Sequence, residues 1–371
     1  MKSLIITAAV LAMLMPVPGK AIQPIDSPIL AKAVQKGILP PVAERVPSQP
    51  RIVNVKTPGQ HGGTLRVVFG RSKDTRIMVV YGYARLVTYD AEFNLQPDIL
   101  ARVDDELGRS FTLHLRKGHR WSDGAPFTAE DFRYWWEDIA NQPKLSPLGP
   151  PKQLVVAGER AKFEIIDKHT VRYSWSSPNP HFLPALASAT PLYIYRPAHY
   201  LKRLHTRYAE PEKLMAMVKK SGRRNWAALH NRRDNQYKND NPKLPTLQPW
   251  VLKTKPPAQR FLFDRNPYYH RVDQNGRQLP YADRIAMAVA AAGVIPLKTG
   301  AGETDLQARG IAFNNYTFLK EAEKRENFKV RLWQTAKGAH LTLFPNMNAR
   351  DDVWRSLIRQ VEFRRALSLA I

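Results

Sequence analysis

The histidine, serine and glycine patterns of this chain give no reactive or cofactor-binding site. No serine stands in the G-x-S-x-G sequence of a hydrolase nucleophile, and no H-E-x-x-H helix offers metal ligands. His114 and His119 are separated by a predicted strand end and turn, which does not suit a pair of metal ligands. Gly300 and Gly302 lack the third glycine of a dinucleotide-binding loop. We therefore predict no cofactor or metal ion and favour a protein that is not an enzyme; a secreted enzyme, the alternative, would need a cluster of acid, base or metal-binding residues.

The remaining candidates for chemistry are aromatic side chains, which hold a ligand by contact. A tyrosine combines a rigid ring with a hydroxyl, which suits it to gripping an extended peptide. Tyr81 and Tyr83 lie in an apolar segment whose period fits a helix or a strand. We predict that both contact ligand, with an ordinary structural role as the alternative. Four other aromatic residues are assigned to the core, because helical spacing accounts for two of them: Trp121, Trp135, Trp136 and Trp175.

Residues 108–139 carry the clearest local structure signal in the chain. Apolar residues alternate over 111–115, which predicts a half-buried strand, and 122–124 read Ser-Asp-Gly, which predicts a turn. Thr128 and Asp131 have the spacing of a capping box at the start of a helix. Apolar residues then recur at helical spacing and predict one buried face: Phe132, Trp135, Trp136 and Ile139.

The rest of the chain predicts a mixture of strands and helices. Prolines are frequent over residues 22–60, which predicts an extended, weakly ordered arm. For residues 77–89 the pattern fits a helix and a strand equally well. The other predicted elements are strand 64–69, a hairpin of 163–166 with 171–175, helix 210–220, a hairpin of 250–253 with 261–264, helix 316–326, and strands 328–333 and 341–344.

Composition and the amino terminus predict an exported protein. Residues 1–21 have a lysine, a short apolar run and small residues before the end, the layout of a signal peptide cut after Ala21. The apolar run is shorter than the roughly 20 residues that a membrane span needs. The chain has no cysteine, which excludes disulfides and a lipid-anchored amino terminus. The formal net charge of +25 is spread along the chain without interleaved aromatic residues, so we expect a basic solvated surface and no nucleic-acid partner.

The stretch FTLHLRKGHRWSDGAPFTAEDF, residues 111–132, resembles the signature of the ABC transporter solute-binding proteins of family 5, the oligopeptide, dipeptide and nickel-binding type. The resemblance covers roughly residues 60–371 and includes segments similar to the family's opening strand, its return to the first lobe, its G-E-x-D element and the helix that opens its last lobe: GGTLRV (62–67), QLPYADRI (278–285), GETD (302–305) and FRRALSLAI (363–371).

This resemblance implies an α/β fold of the class II periplasmic binding protein type, cluster C, with a discontinuous first lobe and a β-rich subdomain. In that scheme residues 22–60 precede lobe I, which comprises 61–87 and 177–340. Residues 88–176 form the β-rich subdomain, and 341–371 begin lobe II. Because the helix that begins at 363 continues in the family, whereas this sequence stops at Ile371 within an apolar helical pattern, we expect an incomplete fold that is truncated at its carboxyl end.

The family's function, as the resemblance implies it, is capture of a solute between two lobes that close by a hinge motion. We expect a monomeric periplasmic protein that binds oligopeptides or another small solute for an ABC permease in the inner membrane. Tyr81 and Tyr83 precede a family segment near the expected cleft, and three further residues occupy positions that face ligand in the family: Phe344, Asn346 and Asn348. The alternative to a ligand contact is an ordinary strand end.

Two expectations limit that assignment. A partial cleft buries less of a ligand than a tight small-molecule site requires, so we expect this chain to be a partial or impaired form that binds peptides weakly. The basic composition leaves a second function open, an exported protein that adheres to the envelope and has no role in transport.

Overall fold

The computed structural model describes residues 22–334 and 342–370. They fall into two compact units, the first ending at Phe328 and the second beginning at Lys329. The predicted signal peptide, residues 1–21, lies outside the described residues. The predicted boundary of lobe II, between 340 and 341, differs from the division between the compact units.

The strands of the described residues are, in chain order, β1 (Arg51–Val53), β2 (Thr64–Phe69), β3 (Val87–Tyr89), β4 (Leu95–Pro97), β5 (Leu100–Glu106), β6 (Ser110–Leu115), β7 (Val155–Val156), β8 (Glu159–Arg160), β9 (Lys162–Asp167), β10 (Thr170–Ser174), β11 (Trp250–Leu252), β12 (Arg260–Arg265), β13 (Arg271–Asp273) and β14 (Arg284–Val289). The α-helices are α1 (Ala31–Gln35), α2 (Val42–Arg45), α3 (Ile77–Gly82), α4 (Ala129–Arg133), α5 (Phe182–Ala187), α6 (Ala198–Leu201), α7 (Pro211–Lys220), α8 (Trp226–Arg233), α9 (Ile295–Gly300), α10 (Tyr316–Glu323), α11 (Asp352–Arg359) and α12 (Val361–Leu369).

One four-stranded sheet of the first unit has the order β11-β12-β14-β2. β2 is parallel to β14, with Thr64 opposite Arg284 and Phe69 opposite Val289, and the other pairs are antiparallel. Strand 64–69 and the second hairpin are therefore confirmed. A sheet that joins one strand from the start of the chain to three later strands is what a discontinuous first lobe requires. Its inward residues form a separate apolar core that includes Val67, Phe69, Phe261, Phe263, Ile285 and Met287.

The second four-stranded sheet, β5-β6-β10-β9, is antiparallel throughout and lies within the predicted β-rich subdomain. The predicted hairpin is confirmed as β9 and β10. Alternate residues of β6, including Phe111 and Leu113, are buried in an apolar core. The inward face of α4 packs in the same core. The predicted capping box is present: the Thr128 side chain accepts from the backbone of α4, and Asp131 accepts from the Thr128 N–H at 3.0 Å.

The helix that follows this cap continues beyond α4 as a π-helical segment, Tyr134–Ala140. Its predicted inward face is buried at Phe132, Trp135 and Ile139. The turn before it needs glycine at position 124, because φ is +88° there and a Cβ would lie 2.8 Å from the Tyr268 hydroxyl. Local sequence signals were sufficient for the cap and the buried helix face, because these features involve residues close in the chain or on one helix face.

The prediction of an extended, weakly ordered arm over residues 22–60 is wrong. This segment contains α1, α2 and β1, and β1 pairs in parallel with β13. Arg45 is fully buried, and its guanidinium donates to the carbonyls of Pro40 and Pro267. The prolines do not prevent this order, because Pro28 and Pro41 stand at or just before helix starts, where proline is tolerated.

Two other predictions of local structure also change. The undecided segment 77–89 contains both a helix, α3, and a strand, β3. Residues 328–333 and 342–344 form no strand, and Leu341 lies outside the described residues. The second unit contains α11, capped by the Asp351 side chain on the N–H of Trp354 at 2.7 Å, and α12.

Candidate functional site

The carboxyl ends of β2 and β14 form the first candidate for ligand contact. The Ala290 N–H donates to the Phe69 carbonyl at 3.0 Å, and pairing ends there. The main-chain N–H groups of Gly70 and Arg71, which follow β2, have no hydrogen-bond partner among the described residues. In open α/β sheets, ligands bind beyond the carboxyl ends of parallel strands. This edge therefore offers free main-chain donors at the place where such a sheet receives ligand.

Tyr81 lies beside this edge. It is half-buried on α3, and its ring centroid lies 6.1 Å from that of Phe69, the last residue of β2. Burial raises the pKa of Tyr81, whereas the positive charge and main-chain N–H of Arg309 act in the opposite direction. The structure thus keeps Tyr81 available for the role predicted from sequence, although no ligand contact tests it.

Tyr83 is held in a different environment from Tyr81. Its backbone has φ of +41° at the end of α3, which turns the chain out of the helix. The Tyr83 hydroxyl donates to the Ala187 carbonyl at 2.8 Å and accepts from the Tyr89 N–H at 3.3 Å. The Arg85 guanidinium lies 5.0 Å from the ring centroid. These contacts give Tyr83 a structural role that the sequence did not reveal, and its predicted role in ligand contact stays a prediction.

The other three predicted residues belong to the second unit. Phe344 is 86% exposed. The Asn346 side chain accepts from the Asn348 N–H at 3.0 Å, so these two residues form one turn before α11. Asn348 Oδ1 also lies 3.5 Å from an Arg359 guanidinium nitrogen. The structure brings the two asparagines together, and ligand contact by these three residues stays a prediction.

A second candidate is a cavity of about 890 Å³ within the first unit. The helical segment that follows α4 supplies one wall, the Pro- and Gly-rich loop 145–152 a second, and residues 191–196 a third. The polar segment after α8 also contributes to the lining. Its aromatic and polar lining includes Trp135, Tyr193, Arg196, Asp234, Gln236 and Tyr237.

Arg196 and Asp234 form an ion pair in the wall of this cavity. Arg196 Nε lies 2.5 Å from Asp234 Oδ1, and Asp234 is 6% exposed. Burial raises the pKa of Asp234 to about 6, although the charge of Arg196 favours its ionised form. The Arg196 guanidinium also donates to the carbonyls of Tyr193 and Tyr195, at 3.2 and 2.9 Å. At neutral pH the two charges cancel, so the pair does not select a ligand by net charge.

Gln236 supplies an unused donor to the same wall. It is 8% exposed, and its side-chain nitrogen has no hydrogen-bond partner among the described residues. A buried amide without a partner carries a free-energy cost that a ligand acceptor removes. Aromatic rings, an amide and a neutral ion pair are groups for binding a polar solute. Residues 22–334 and 342–370 contain no cluster of three or more His, Asp or Glu side chains that could hold a metal ion.

Sequence reasoning did not find this cavity. Trp135 was assigned to the core, where it is indeed buried, and Asp234 was not among the predicted site residues. The available signal was the presence of Asp234 and Gln236, next to Tyr237, in a loop rich in amide residues. Their contact with Arg196 depends on tertiary structure, which the pattern does not contain.

Residues 94–371 match the family described as bacterial extracellular solute-binding proteins, family 5 Middle. The chain belongs to this family. The predicted family and the class II periplasmic binding fold are thereby confirmed. Among the residues that the structure describes, no helix has the length and apolar character needed to cross a bilayer.

The relatives of this family 5 chain bind different solutes. The periplasmic alpha-galactoside-binding protein of Rhizobium meliloti (strain 1021) is 27% identical over 92% of this chain and 51% of its own length. A solved oligopeptide-binding protein OppA is 34% identical, with a TM-score of 0.78, over 95% of this chain and 56% of its own. The periplasmic binding protein MelB of agrobacterium fabrum C58, solved with stachyose, is 25% identical, with a TM-score of 0.62, over 81% and 46%.

The chain spans about half the length of the relatives that it matches. The curated relatives are named as periplasmic binding proteins and not as enzymes. The three relatives are named for or solved with alpha-galactosides, oligopeptides and stachyose, so the family assignment leaves the solute of this chain to be determined.

Proposed function

We propose that this chain is the solute-binding component of an ABC importer, which captures oligopeptides between two lobes in the periplasm and delivers them to an inner-membrane permease. The observation that carries the proposal is the edge beyond β2, where the N–H groups of Gly70 and Arg71 are free beside Tyr81. An extended peptide offers main-chain carbonyls to such donors, independently of its side chains. The family membership and the similarity to an oligopeptide-binding protein support the same solute.

A neutral oligosaccharide of the galactoside type is the second candidate solute. The observation that favours it is the cavity lining, in which Trp135 and Tyr193 accompany the ion pair and the unpartnered Gln236 amide. Sugar rings present apolar faces to aromatic rings and hydroxyl groups to planar polar side chains, and they carry no charge. A relative that matches 92% of this chain is named for alpha-galactosides.

Saturation-transfer difference NMR distinguishes the two solutes, because it also detects weak binding. The purified protein is mixed with a pool of tripeptides in one sample and with stachyose in another. We expect transfer to peptide protons and none to stachyose. Transfer to stachyose alone would replace the first candidate by the second, and absence of transfer to both would contradict solute capture.

Two variants assign the signals to places in the first unit. Tyr81→Phe is expected to weaken peptide transfer, because it removes a polar group from a side chain that packs on Phe69 at the end of β2. Gln236→Leu is expected to leave peptide transfer unchanged and would abolish a stachyose signal that came from the cavity. Equal effects of both variants on the same solute would contradict the separation of the two places.

A further inference from the structure

Four cations lie together at the connection between α7 and α8, and we name them the basic turn: Lys219, Lys220, Arg223 and Arg224. All four are exposed. None forms an ion pair with a described residue. The surrounding segment, residues 213–233, contains seven lysines and arginines and no aspartate or glutamate. The basic turn is therefore a local concentration of positive charge that the first unit leaves uncompensated.

The backbone of this connection is fixed. Gly222 has φ of +63°, and its N–H donates to the Lys219 carbonyl at 3.1 Å. The Arg223 N–H donates to the Val218 carbonyl at 3.3 Å, and the Ser221 hydroxyl donates to the same carbonyl at 2.8 Å. These bonds close the end of α7 in a left-handed glycine cap. The four side chains therefore project from one defined turn, with little backbone freedom to lose when they bind.

Helix electrostatics explain only half of this cluster. Lys219 and Lys220 lie in the last turn of α7, where the helix dipole favours positive charge. Arg223 and Arg224 immediately precede Asn225, whose side chain caps α8 by accepting the Ala228 N–H at 2.8 Å. Positive charge is unfavourable at that end of a helix. The arginine pair thus opposes its local environment, and an external anion would remove this conflict.

We propose that the basic turn docks this protein on an anionic phospholipid surface. Phosphate headgroups match the four unpaired cations, and arginine binds phosphate oxygens in a two-pronged geometry. Clusters of four or more lysines and arginines are sufficient to attract proteins to anionic bilayers. The formal net charge of +25 keeps the rest of the chain from opposing this approach. Such docking would raise the concentration of the protein at a membrane, where an importer receives its solute.

A nucleic acid fits this surface less well than a bilayer does. Single strands are held by aromatic rings that stack on bases between the cations. The nearest aromatic residue, Trp226, is half-buried, and its ring packs on that of His205 with centroids 4.8 Å apart. The turn therefore offers charge without a stacking platform.

The test is cosedimentation with vesicles. The purified protein is mixed with vesicles of phosphatidylcholine containing about 30% phosphatidylglycerol, or of phosphatidylcholine alone, at ionic strengths of about 0.1 M and about 0.5 M. We expect binding to the anionic vesicles that high salt abolishes, and no binding to neutral vesicles. Replacing all four residues of the basic turn by glutamine is expected to weaken binding on the order of 100-fold or more.

A charge-matched variant separates the turn from overall charge. Lys144, Lys168, Lys253 and Lys255 are also exposed and form no ion pair with a described residue. Their replacement by glutamine removes the same four charges and is expected to weaken binding less than about 10-fold. The double variant Arg223→Gln/Arg224→Gln should show part of the loss of binding to anionic vesicles. Its circular dichroism spectrum should match that of the unmodified protein, which shows that it folds fully. Equal losses in the two fourfold variants, or no binding of the unmodified protein to anionic vesicles, would overturn the proposal.

Discussion

Two buried carboxylates of the first unit, Asp98 and Asp234, have opposite environments. Asp98 accepts from the Arg85 N–H at 3.0 Å, from His270 at 2.9 Å and from two nitrogens of Arg271 at 2.8 and 2.6 Å. Asp234 has one charged neighbour, Arg196, and a cavity beside it. Both are almost fully buried, so the difference lies in the number of donors and not in exposure.

The protonation equilibria of the two carboxylates follow from these donors. Burial opposes ionisation of Asp98, but the charge of Arg271 and the hydrogen bonds from His270 and Arg271 outweigh it and hold the pKa well below its usual range. For Asp234, burial prevails over Arg196 and raises the pKa to about 6. The Asp98 carboxylate receives its hydrogen bonds from other residues of the fold and is therefore structural. The Asp234 carboxylate receives fewer donors and lies beside a cavity, so it is available to a ligand.

The largest expected effect is that of Asp98→Asn. The substitution removes the negative charge that compensates partly buried Arg271 and buried Arg85, and breaking such a network costs about 3–5 kcal/mol in the free energy of unfolding. Urea unfolding followed by tryptophan fluorescence measures it. Glu92→Gln, at an exposed carboxylate without an ion pair among the described residues, is the charge-matched control and should change stability by less than about 0.5 kcal/mol. Similar losses in the two variants would remove the distinction drawn for Asp98.

The next effect concerns the pH dependence of stability at Asp234. The pKa of Asp234 is about 6 in the folded protein, and that of an aspartate in the unfolded chain is about 3.9. Asp234 therefore stabilises the fold at pH values where its carboxyl is protonated in both states. That contribution, about 2–3 kcal/mol, is lost as pH rises from about 4 through the folded pKa. Asp234→Asn cannot ionise, so its stability should fall less than that of the unmodified protein between those limits.

The measurement is the free energy of unfolding at several pH values for both proteins. His119 and His270 act in the opposite direction, because burial lowers their pKa values and their contribution is lost as pH falls below about 6.5. Because both histidines are present in the unmodified protein and in Asp234→Asn, their contribution cancels when the two pH profiles are subtracted. Parallel pH profiles would show that Asp234 ionises normally and would end the contrast with Asp98.

The same comparison separates the features that the sequence predicts from those that it does not. The capping box, two hairpins and the strand 64–69 depend on neighbouring residues or a simple period, and all were predicted. The contacts of Asp98 with His270 and Arg271, and the cavity pair, join residues more than 30 positions apart, so no local pattern reveals how many donors each carboxylate receives. For Tyr83, the missing information was a positive φ, which the tyrosine type does not indicate. Order in residues 22–60 likewise depends on distant partners.

Tyr83 and Tyr81 repeat the contrast on a smaller scale, since the Tyr83 hydroxyl bonds to two main-chain groups, whereas the Tyr81 ring lies beside the end of β2, where main-chain donors are free. Tyr83→Phe leaves the Ala187 carbonyl and the Tyr89 N–H without this partner, and should lower the free energy of unfolding by about 1–2 kcal/mol. Tyr81→Phe should change stability by less than about 0.5 kcal/mol. Thermal and urea unfolding of the two variants measure the difference, and a reversed order would exchange the roles given to these tyrosines.

The smallest expected effect is at Thr128, beside a third buried carboxylate, Asp131. Asp131 accepts three N–H groups, from Trp121, Thr128 and Ala198, at 3.2, 3.0 and 3.0 Å, and has no cation in contact. Burial raises its pKa to about 7 despite these donors, so Asp131 resembles Asp234 and not Asp98 in its protonation. Neutral donors thus satisfy the hydrogen bonds of the Asp131 carboxyl group but do not stabilise its ionised form enough to lower its pKa.

Thr128→Ala removes the hydroxyl half of the capping box and keeps the Asp131 half. The expected cost is about 1 kcal/mol in the free energy of unfolding, and Thr128→Ser should restore most of it because serine caps equally well. Urea unfolding of the three proteins at pH 5 and pH 8, about two units below and one unit above the Asp131 pKa, adds a second readout. If the cap depends on ionised Asp131, the cost of the alanine variant should differ between the two pH values. A cost independent of pH would mean that the Thr128 hydroxyl and the Asp131 carboxyl act separately, and that backbone donors alone fix this end of α4.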